Sequence, residues 1–340
     1  MNRRFGFQVD SYDSLSYGEY VEAARKAESV GFDYFWKGEV NVKDSVSVLS
    51  VVAYATSKIK IGSSAISIVA RSPVMTAMTA LSLNELSAGR FVLGLGVSNR
   101  NIAAWHGFSF DKPYIMIKEY LTIIKSVFNG ERTSFRGQFY SSTNFKSVLK
   151  PARIPVYLAT LSPAIARLAG RMAEGIIANL ADRNRLEKLR NEALSVLPKD
   201  KKFEVLREVR VSSNDDVQMA KRAIRRTLAF YALADYYREM CLEMGLKELV
   251  ERLQEAFNAG GFSAAEKTIA DEDILKIEGL VFGNSEEVWK RIMELYESAE
   301  YGINIVYVPS TAQPITEVIK FLEAGGAFLK RIKGEKFINQ

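Results

Sequence analysis

The stretch that decides the fold runs from Leu83 to Gly96 and reads LNELSAGRFVLGLG. It closes a helix-like segment, Val74–Leu86, at Gly89 and leads directly into the apolar run Phe91–Leu95. This run shows no alternation of apolar and polar residues, which is typical of a strand buried on both faces. The sequence therefore predicts a helix followed by a buried strand, the repeating unit of a parallel sheet.

The same strand-and-helix unit recurs along the whole chain. Parallel strands need helical crossovers, and eight such units favour a closed barrel. We therefore predict the α/β class and a (β/α)8 TIM barrel, with residues 1–340 as a single domain. The eight predicted strands are Phe5–Val9, Asp33–Trp36, Ile59–Ile61, Phe91–Leu95, Val156–Leu158, Gly175–Ala178, Phe203–Val211 and Ile303–Val308.

Two segments interrupt this order. Thr133–Tyr140 alternates around Arg136-Gly137, which predicts a β-hairpin. The segment from about residue 215 to 277 has helical spacing and is too long for one crossover. Because no linker rich in Pro, Gly and Ser frames it, we expect a helical insertion packed against the barrel.

Composition excludes several classes of protein. The chain has 340 residues, 46 Lys and Arg against 40 Asp and Glu, one Cys and one His. A net charge of +6 does not indicate a nucleic-acid-binding protein. Single copies of Cys and His exclude an internal disulfide and paired-His or multi-Cys metal sites, so no metal is expected. Without an apolar run of about 18 residues, no membrane partner is expected, and the localisation we expect is cytoplasmic.

Two motifs fall where the strands of such a barrel end. Gly94-Leu95-Gly96 lacks the third glycine of a dinucleotide fingerprint, so it favours a tight strand exit over a Rossmann site. Ser162-Pro163 has the N-cap and first-turn residues of a helix start. A helix N-terminus at this rim can bind phosphate, although the sequence alone favours an ordinary capped helix.

Several stretches, taken together, resemble the luciferase-like flavin and deazaflavin oxidoreductases, in particular the archaeal methylenetetrahydromethanopterin reductases. They occur in family order and span nearly the whole chain. The Leu-Ser-x-Gly-Arg motif, followed by a strand and Gly-x-Gly, is the most specific of them. The matching stretches are Ala27–Trp36, Ala55–Gly62, Arg71–Pro73, Leu83–Gly96, Lys112-Pro113, Ile154–Tyr157, Leu168–Gly170 and Phe282–Glu287.

The resemblance implies a cofactor ring in the barrel mouth, either coenzyme F420 or, as the alternative, FMN. It implies a bulge after the third strand with a cis peptide at Ser64–Ala65, and a phosphate-side loop after the fifth strand. The residues implied to bind the cofactor are Ser63, Ser64, Ala65, Ile66, Ser67, Val97, Ser98, Asn99, Ala159, Thr160, Ser162 and Asn179. It also implies a homodimer or a larger homo-oligomer.

The chain departs from the reductases at polar positions. Where those enzymes have Trp-x-x-Asp-His, this chain has Trp36-Lys37-Gly38-Glu39-Val40, and Gln8 and Asn99 stand where the reductases tend to carry acids. Glu39 is therefore the candidate proton donor or relay. We expect F420-dependent hydride transfer to a small-molecule substrate. The alternatives are an FMN-dependent monooxygenase and a catalytically silent, cofactor-binding paralogue.

Overall fold

The structure, a computed structural model, describes residues 3–10, 15–109, 111–298 and 300–334. Its strands are β1 (Phe5–Val9), β2 (Tyr34–Lys37), β3 (Lys60–Ser63), β4 (Ile66–Ser67), β5 (Phe91–Gly96), β6 (Thr133–Arg136), β7 (Ser141–Phe145), β8 (Val156–Ala159), β9 (Gly175–Asn179), β10 (Glu204–Ser213), β11 (Leu280–Gly283) and β12 (Gly302–Tyr307). Its helices are α1 (Tyr17–Val30), α2 (Ser45–Ala55), α3 (Pro73–Leu86), α4 (Arg100–Trp105), α5 (Pro113–Phe128), α6 (Pro163–Met172), α7 (Arg183–Leu194), α8 (Val217–Leu233), α9 (Asp235–Glu243), α10 (Lys247–Lys267), α11 (Asp271–Leu275), α12 (Ser285–Glu297) and α13 (Pro314–Lys333).

Eight parallel strands close into a barrel in the order β1, β2, β3, β5, β8, β9, β10, β12, with β12 pairing back to β1. This confirms the predicted (β/α)8 fold. Because all these pairings are parallel, the carboxyl ends of the strands meet at one mouth of the barrel, where the active sites of such folds lie. The hairpin expected after α5 is also present, formed by β6 and β7.

The deciding stretch folds as predicted, for identifiable reasons. Ser72 caps α3 by accepting from the Met75 backbone N–H (3.2 Å), and the chain turns after α3 with Gly89 at φ +83°. Arg90 then donates to the carbonyl oxygens of Ala53 (2.9 Å) and Ile59 (2.6 Å). The Gly-Arg pair therefore joins the end of α2 to β3 before β5 enters the barrel.

Large side chains fill the lower part of the barrel. Trp36 is fully buried there beside Tyr34 and Tyr157. A Cβ added at Gly62 would lie 2.2 Å from the Trp36 ring, so the neighbouring strand needs glycine at this position. This packing fills the bottom of the barrel with side chains.

The predicted helical insertion contains α8, α9, α10 and α11. Helix α10 is kinked at Gly260 and Gly261, where the backbone leaves helical geometry. The short strand β11, which sequence analysis did not assign, follows the insertion and pairs with the carboxyl end of β10. The insertion therefore returns to the sheet at the mouth. In the part of the chain that the structure describes, no helix is both long and apolar enough to cross a membrane.

Candidate active site

A cavity of about 610 Å³ opens at the mouth of the barrel, between the strand ends and the helical insertion. The structure brings most of the predicted site residues to its wall. Those that line it are Glu39, Ser64, Ala65, Val97, Ser98, Asn99, Ala159, Thr160, Ser162 and Asn179.

Three of the predicted cofactor-binding residues do not line this cavity, and their role in cofactor binding stays a prediction. Ser63 is fully buried, where its Oγ donates to the Gly94 carbonyl (2.8 Å) and accepts from the Gly94 N–H (2.9 Å). Ile66 is buried and pairs with Leu95. Ser67 accepts a hydrogen bond from Ser98 Oγ at 3.0 Å. These contacts of the three residues stabilise the strands and the loop that carry the cavity wall.

The wall itself is built from very small residues. The peptide between Ser64 and Ala65 is cis, as the family resemblance predicted. A Cβ added at Gly96 would lie 3.4 Å from the Ala65 Cβ and 3.6 Å from the Ala159 Cβ. At Gly94 an added Cβ would lie 1.9 Å from the Ser63 carbonyl oxygen, so only glycine allows the bulge to sit against β5. Gly94 thus allows the bulge to pack against β5, and Gly96 lines the cavity together with Ala65 and Ala159.

The two loops beside this wall differ in the groups they leave free. Asn99 caps α4 by accepting from the Ile102 N–H at 3.0 Å, so its side chain is already used by the fold. Thr160 Oγ1 accepts from the Ser162 N–H at 2.9 Å, but Ser162 makes no side-chain cap to α6. In the first turn of an α-helix the N–H groups have no intrahelical acceptor. The start of α6 is therefore the part of the rim that offers free donors.

Glu39, the predicted proton donor, lies in the loop after β2 and is held by its neighbours. Its Oε1 accepts from the Ser45 N–H (3.3 Å) and forms an ion pair with Arg71 (3.2 Å). Its Oε2 is enclosed and has no hydrogen-bond partner among the residues described. Nothing in this geometry tests whether Glu39 transfers protons, so that role stays a prediction.

A buried charged cluster on β10 forms the opposite side of the cavity, and sequence analysis missed it. Arg210 forms an ion pair with Asp10, and both side chains are 6% exposed. Arg210 Nε also donates to Asn179 Oδ1 (3.1 Å), and Asn179 Nδ2 donates to the Tyr237 hydroxyl (2.7 Å). The predicted residue Asn179 therefore links the barrel cluster to the helical insertion.

Glu208 lies in the same cluster and lines the cavity. Its Oε1 accepts from Ser64 Oγ (2.7 Å) and from Asn304 Nδ2 (3.1 Å). Burial, the largest influence, raises the pKa of the Glu208 carboxyl above its ordinary value, although Arg210 and these two hydrogen bonds act in the opposite direction. The sequence signal that could have revealed this cluster is the charged strand itself. Residues 208 and 210 lie on the same face of β10, and in a barrel that face points either inward or outward.

The outer wall of the cavity is apolar. The helical insertion contributes Phe230 and Leu233 from α8 and Phe257 and Phe262 from α10, and α4 contributes Trp105. The kink in α10 separates Phe257 from Phe262 along the chain, yet both reach the cavity. The site therefore combines a small, flat inner wall, a buried polar cluster and an aromatic cover.

Comparison with known proteins agrees with this architecture. A 5,10-methylenetetrahydromethanopterin reductase from Archaeoglobus fulgidus is 27% identical over 319 residues, covering 91% of this chain and 94% of that protein. A Mycobacterium tuberculosis protein named as a coenzyme F420-dependent oxidoreductase is 27% identical over 338 residues, covering 91% of this chain and 96% of that protein.

The fold is shared with a solved structure. The coenzyme F420-dependent tetrahydromethanopterin reductase from Methanopyrus kandleri superposes with a TM-score of 0.80 at 21% identity, over 96% of this chain and 98% of that one. The family model described as luciferase-like monooxygenase matches residues 4–301. Since this match spans well over half of the chain, the protein belongs to the luciferase-like family of oxidoreductases.

Proposed function

We propose that this protein is an oxidoreductase that binds coenzyme F420 in the mouth of the barrel and transfers a hydride between the coenzyme and a small organic substrate. A bound deazaflavin supplies the two-electron chemistry, so the protein needs only to bind, orient and exchange protons. Two 27%-identical relatives support this assignment, one named as a methylenetetrahydromethanopterin reductase and the other as an F420-dependent oxidoreductase.

The observation that carries the proposal is the fit of the inner wall to a flat ring. Ala65, Gly96 and Ala159 leave space along one face of the cavity. Gln8 lines the same cavity, and its Oε1 is a buried acceptor without a partner among the described residues. A buried acceptor without a partner is costly, and the pyrimidine edge of a deazaflavin or flavin carries an N–H that can satisfy it.

The anionic tail of the coenzyme fits the rim beside α6. The hydroxyl of Ser162 and the N–H groups of the first turn are the donors available there, and the positive end of the helix dipole favours a phosphate. Thr160 holds this loop through its hydrogen bond to the Ser162 N–H (2.9 Å). We assign Thr160 and Ser162 to the phosphate side on these grounds.

The aromatic cover indicates the substrate class. The described lining residues of the insertion and of α4 that face the outer cavity are mainly apolar, and Arg210 is neutralised by Asp10. An apolar wall binds apolar surface, whereas an anionic substrate would need an unpaired cation. We therefore propose a substrate with an apolar or aromatic body and one reducible polar double bond.

We also propose a homodimer or a larger homo-oligomer in the cytoplasm. Helices α2 and α3 pack side by side and expose Val51, Tyr54, Met75, Met78 and Leu86, with Tyr54 84% exposed. Exposed apolar patches of this kind mark interaction surfaces. Sedimentation velocity of the purified protein measures the oligomeric state, and a monomer at micromolar concentration would contradict this proposal.

Turnover under anaerobic conditions tests the proposed reaction. Reduced F420 and the protein are mixed with a panel of aromatic and aliphatic ketones, aldehydes and imines, and appearance of the oxidised coenzyme is followed by its absorbance. We expect substrate-dependent oxidation with at least one acceptor. Consumption of dioxygen with reduced FMN, with F420 inert, would instead assign the protein to the FMN-dependent monooxygenases. Binding without turnover in either assay would identify a silent paralogue.

A further inference from the structure

The polar cluster at the end of β10 places a second carboxyl group in the cavity, besides Glu39, which sequence analysis selected. We propose that Glu208 is the catalytic acid of this chain and that it donates the proton to the substrate heteroatom during reduction. This inference rests on the proposed function, because it assumes that a polar double bond is reduced in this cavity.

The hydrogen bonds of Glu208 leave one oxygen free to act. Ser64 and Asn304 both donate to Oε1, at 2.7 Å and 3.1 Å. Oε2 makes no hydrogen bond to any described side chain or backbone group, and Glu208 lines the cavity. In the protonated form of Glu208, Oε1 is the carbonyl oxygen that accepts these two hydrogen bonds, and the O–H then lies on Oε2. The two donors thus orient the proton away from the sheet.

Burial favours the protonated form of Glu208, while the charge of Arg210 acts in the opposite direction and that of Asp10 raises the pKa of the carboxyl. Arg210, on the same strand, is the nearest cation, but its ion pair with Asp10 after β1 makes the pair neutral overall. Tyr231 and Tyr237 from the insertion interact with Arg210, and the neutral groups Ser64, Asn179 and Asn304 come from the loop after β3, from β9 and from β12. Since Glu208 is 6% exposed, burial dominates and raises the pKa of its carboxyl, as a general acid near neutral pH requires.

Glu39 differs from Glu208 in its neighbours. The Arg71 guanidinium lies 3.2 Å from its Oε1, and Ser45 donates to the same oxygen. This arrangement ties the loop after β2 to α2 and to the start of α3, where Arg71 also approaches Asp44 at 3.7 Å. Both carboxyl groups leave Oε2 without a hydrogen-bond partner among the described residues, but Glu39 is anchored by an ion pair, whereas Glu208 accepts from the neutral groups Ser64 and Asn304.

The proposed step balances for a carbonyl or imine substrate. The reduced deazaflavin of the proposed function is the two-electron donor, and the substrate carbon receives the hydride. The O–H bond at Glu208 Oε2 breaks, and its proton forms the new O–H or N–H bond of the product. Glu208 is left as a carboxylate, next to Ser64 and Asn304, and regains a proton from water that enters the open mouth.

Four variants test the assignment: Glu208→Gln, Glu208→Asp, Glu39→Gln and, as a surface control, Glu323→Gln, whose carboxylate is 57% exposed and pairs with Lys26. The first readout needs no coenzyme. Infrared spectra of the protein labelled with ¹³C-glutamate show whether a carboxylic acid C=O band is present near neutral pH. We expect this band in the wild type, in Glu39→Gln and in Glu323→Gln, and its loss in Glu208→Gln.

The second readout is the anaerobic turnover assay. We expect Glu208→Gln to lower kcat about 100-fold or more, the usual contribution of general acid catalysis, with unchanged F420 affinity. Glu208→Asp, which restores an ionisable group, should recover part of the loss and shift the pH profile. A wild type without the infrared band overturns the proposal. A 100-fold loss in Glu39→Gln with none in Glu208→Gln overturns it as well. If F420 does not bind at all, the proposed function fails, and the infrared band alone decides the state of Glu208.

Discussion

Replacing Glu208 by glutamine should change how stability depends on pH. A protonated glutamate and a glutamine have the same shape, and the glutamine oxygen can accept the hydrogen bonds from Ser64 and Asn304. Burial raises the pKa of the Glu208 carboxyl above its ordinary value of 4.5 in the folded protein. Its contribution to stability is therefore complete below pH 4.5 and is lost as pH rises towards the folded pKa. Over that window the wild type loses about 1.4 kcal/mol per pH unit relative to the variant.

Urea unfolding at a series of pH values measures this difference, with the fluorescence of the fully buried Trp36 and Trp289 as the signal. Glu119→Gln is a control of opposite sign. Glu119 accepts backbone N–H bonds from residues 138–140, which lower the pKa of its carboxyl despite the opposing effect of burial. Its contribution is present above pH 4.5 and is lost as pH falls. We expect the unfolding free energy of the wild type minus that of Glu208→Gln to fall as pH rises. A value that does not change with pH, or that rises with pH, would refute the reasoning for Glu208.

Three further substitutions test the two ends and the inner wall of the cavity. Ser162→Asp adds a negative charge where we place the coenzyme phosphate, so we expect F420 to bind at least tenfold more weakly in a fluorescence titration; unchanged affinity would place the tail elsewhere. Ala159→Phe puts a ring into the space along the flat wall, and we expect loss of coenzyme binding with a circular dichroism spectrum like that of the wild type. Phe257→Asp introduces a charge in the aromatic cover, at a residue that is 42% exposed. We expect KM for an apolar substrate to rise about tenfold while the affinity for F420 stays the same. A fall in F420 affinity alone would contradict the assignment of this wall to the substrate.

The barrel could be predicted from the sequence because its signals are local. Each strand is a short apolar run followed by a helix, and the turn at Gly89 and Arg90 marks one such boundary directly. The family resemblance added what local signals lack, the cis peptide at Ser64–Ala65, and the structure contains it. Strand β11 was missed because it has four residues and follows a long helical insertion.

The polar cluster could not be predicted because it depends on contacts between distant parts of the chain. Asp10 and Arg210 are 200 positions apart, and their ion pair forms only when β12 and β1 close the barrel beside β10. A charged strand does not show in advance which of its faces points inward. Sequence analysis therefore selected Glu39, which lies next to a recognisable motif, and overlooked Glu208, which lies in no motif at all.

The central claim, that the barrel mouth binds coenzyme F420, is tested most directly by titrating the purified wild-type protein with F420 and, separately, with FMN, while following the fluorescence of each chromophore. The account predicts saturable binding of F420 with one molecule per chain, abolished in Ala159→Phe and weakened in Ser162→Asp. Tight binding of FMN without binding of F420, or binding of F420 that neither substitution changes, would contradict it.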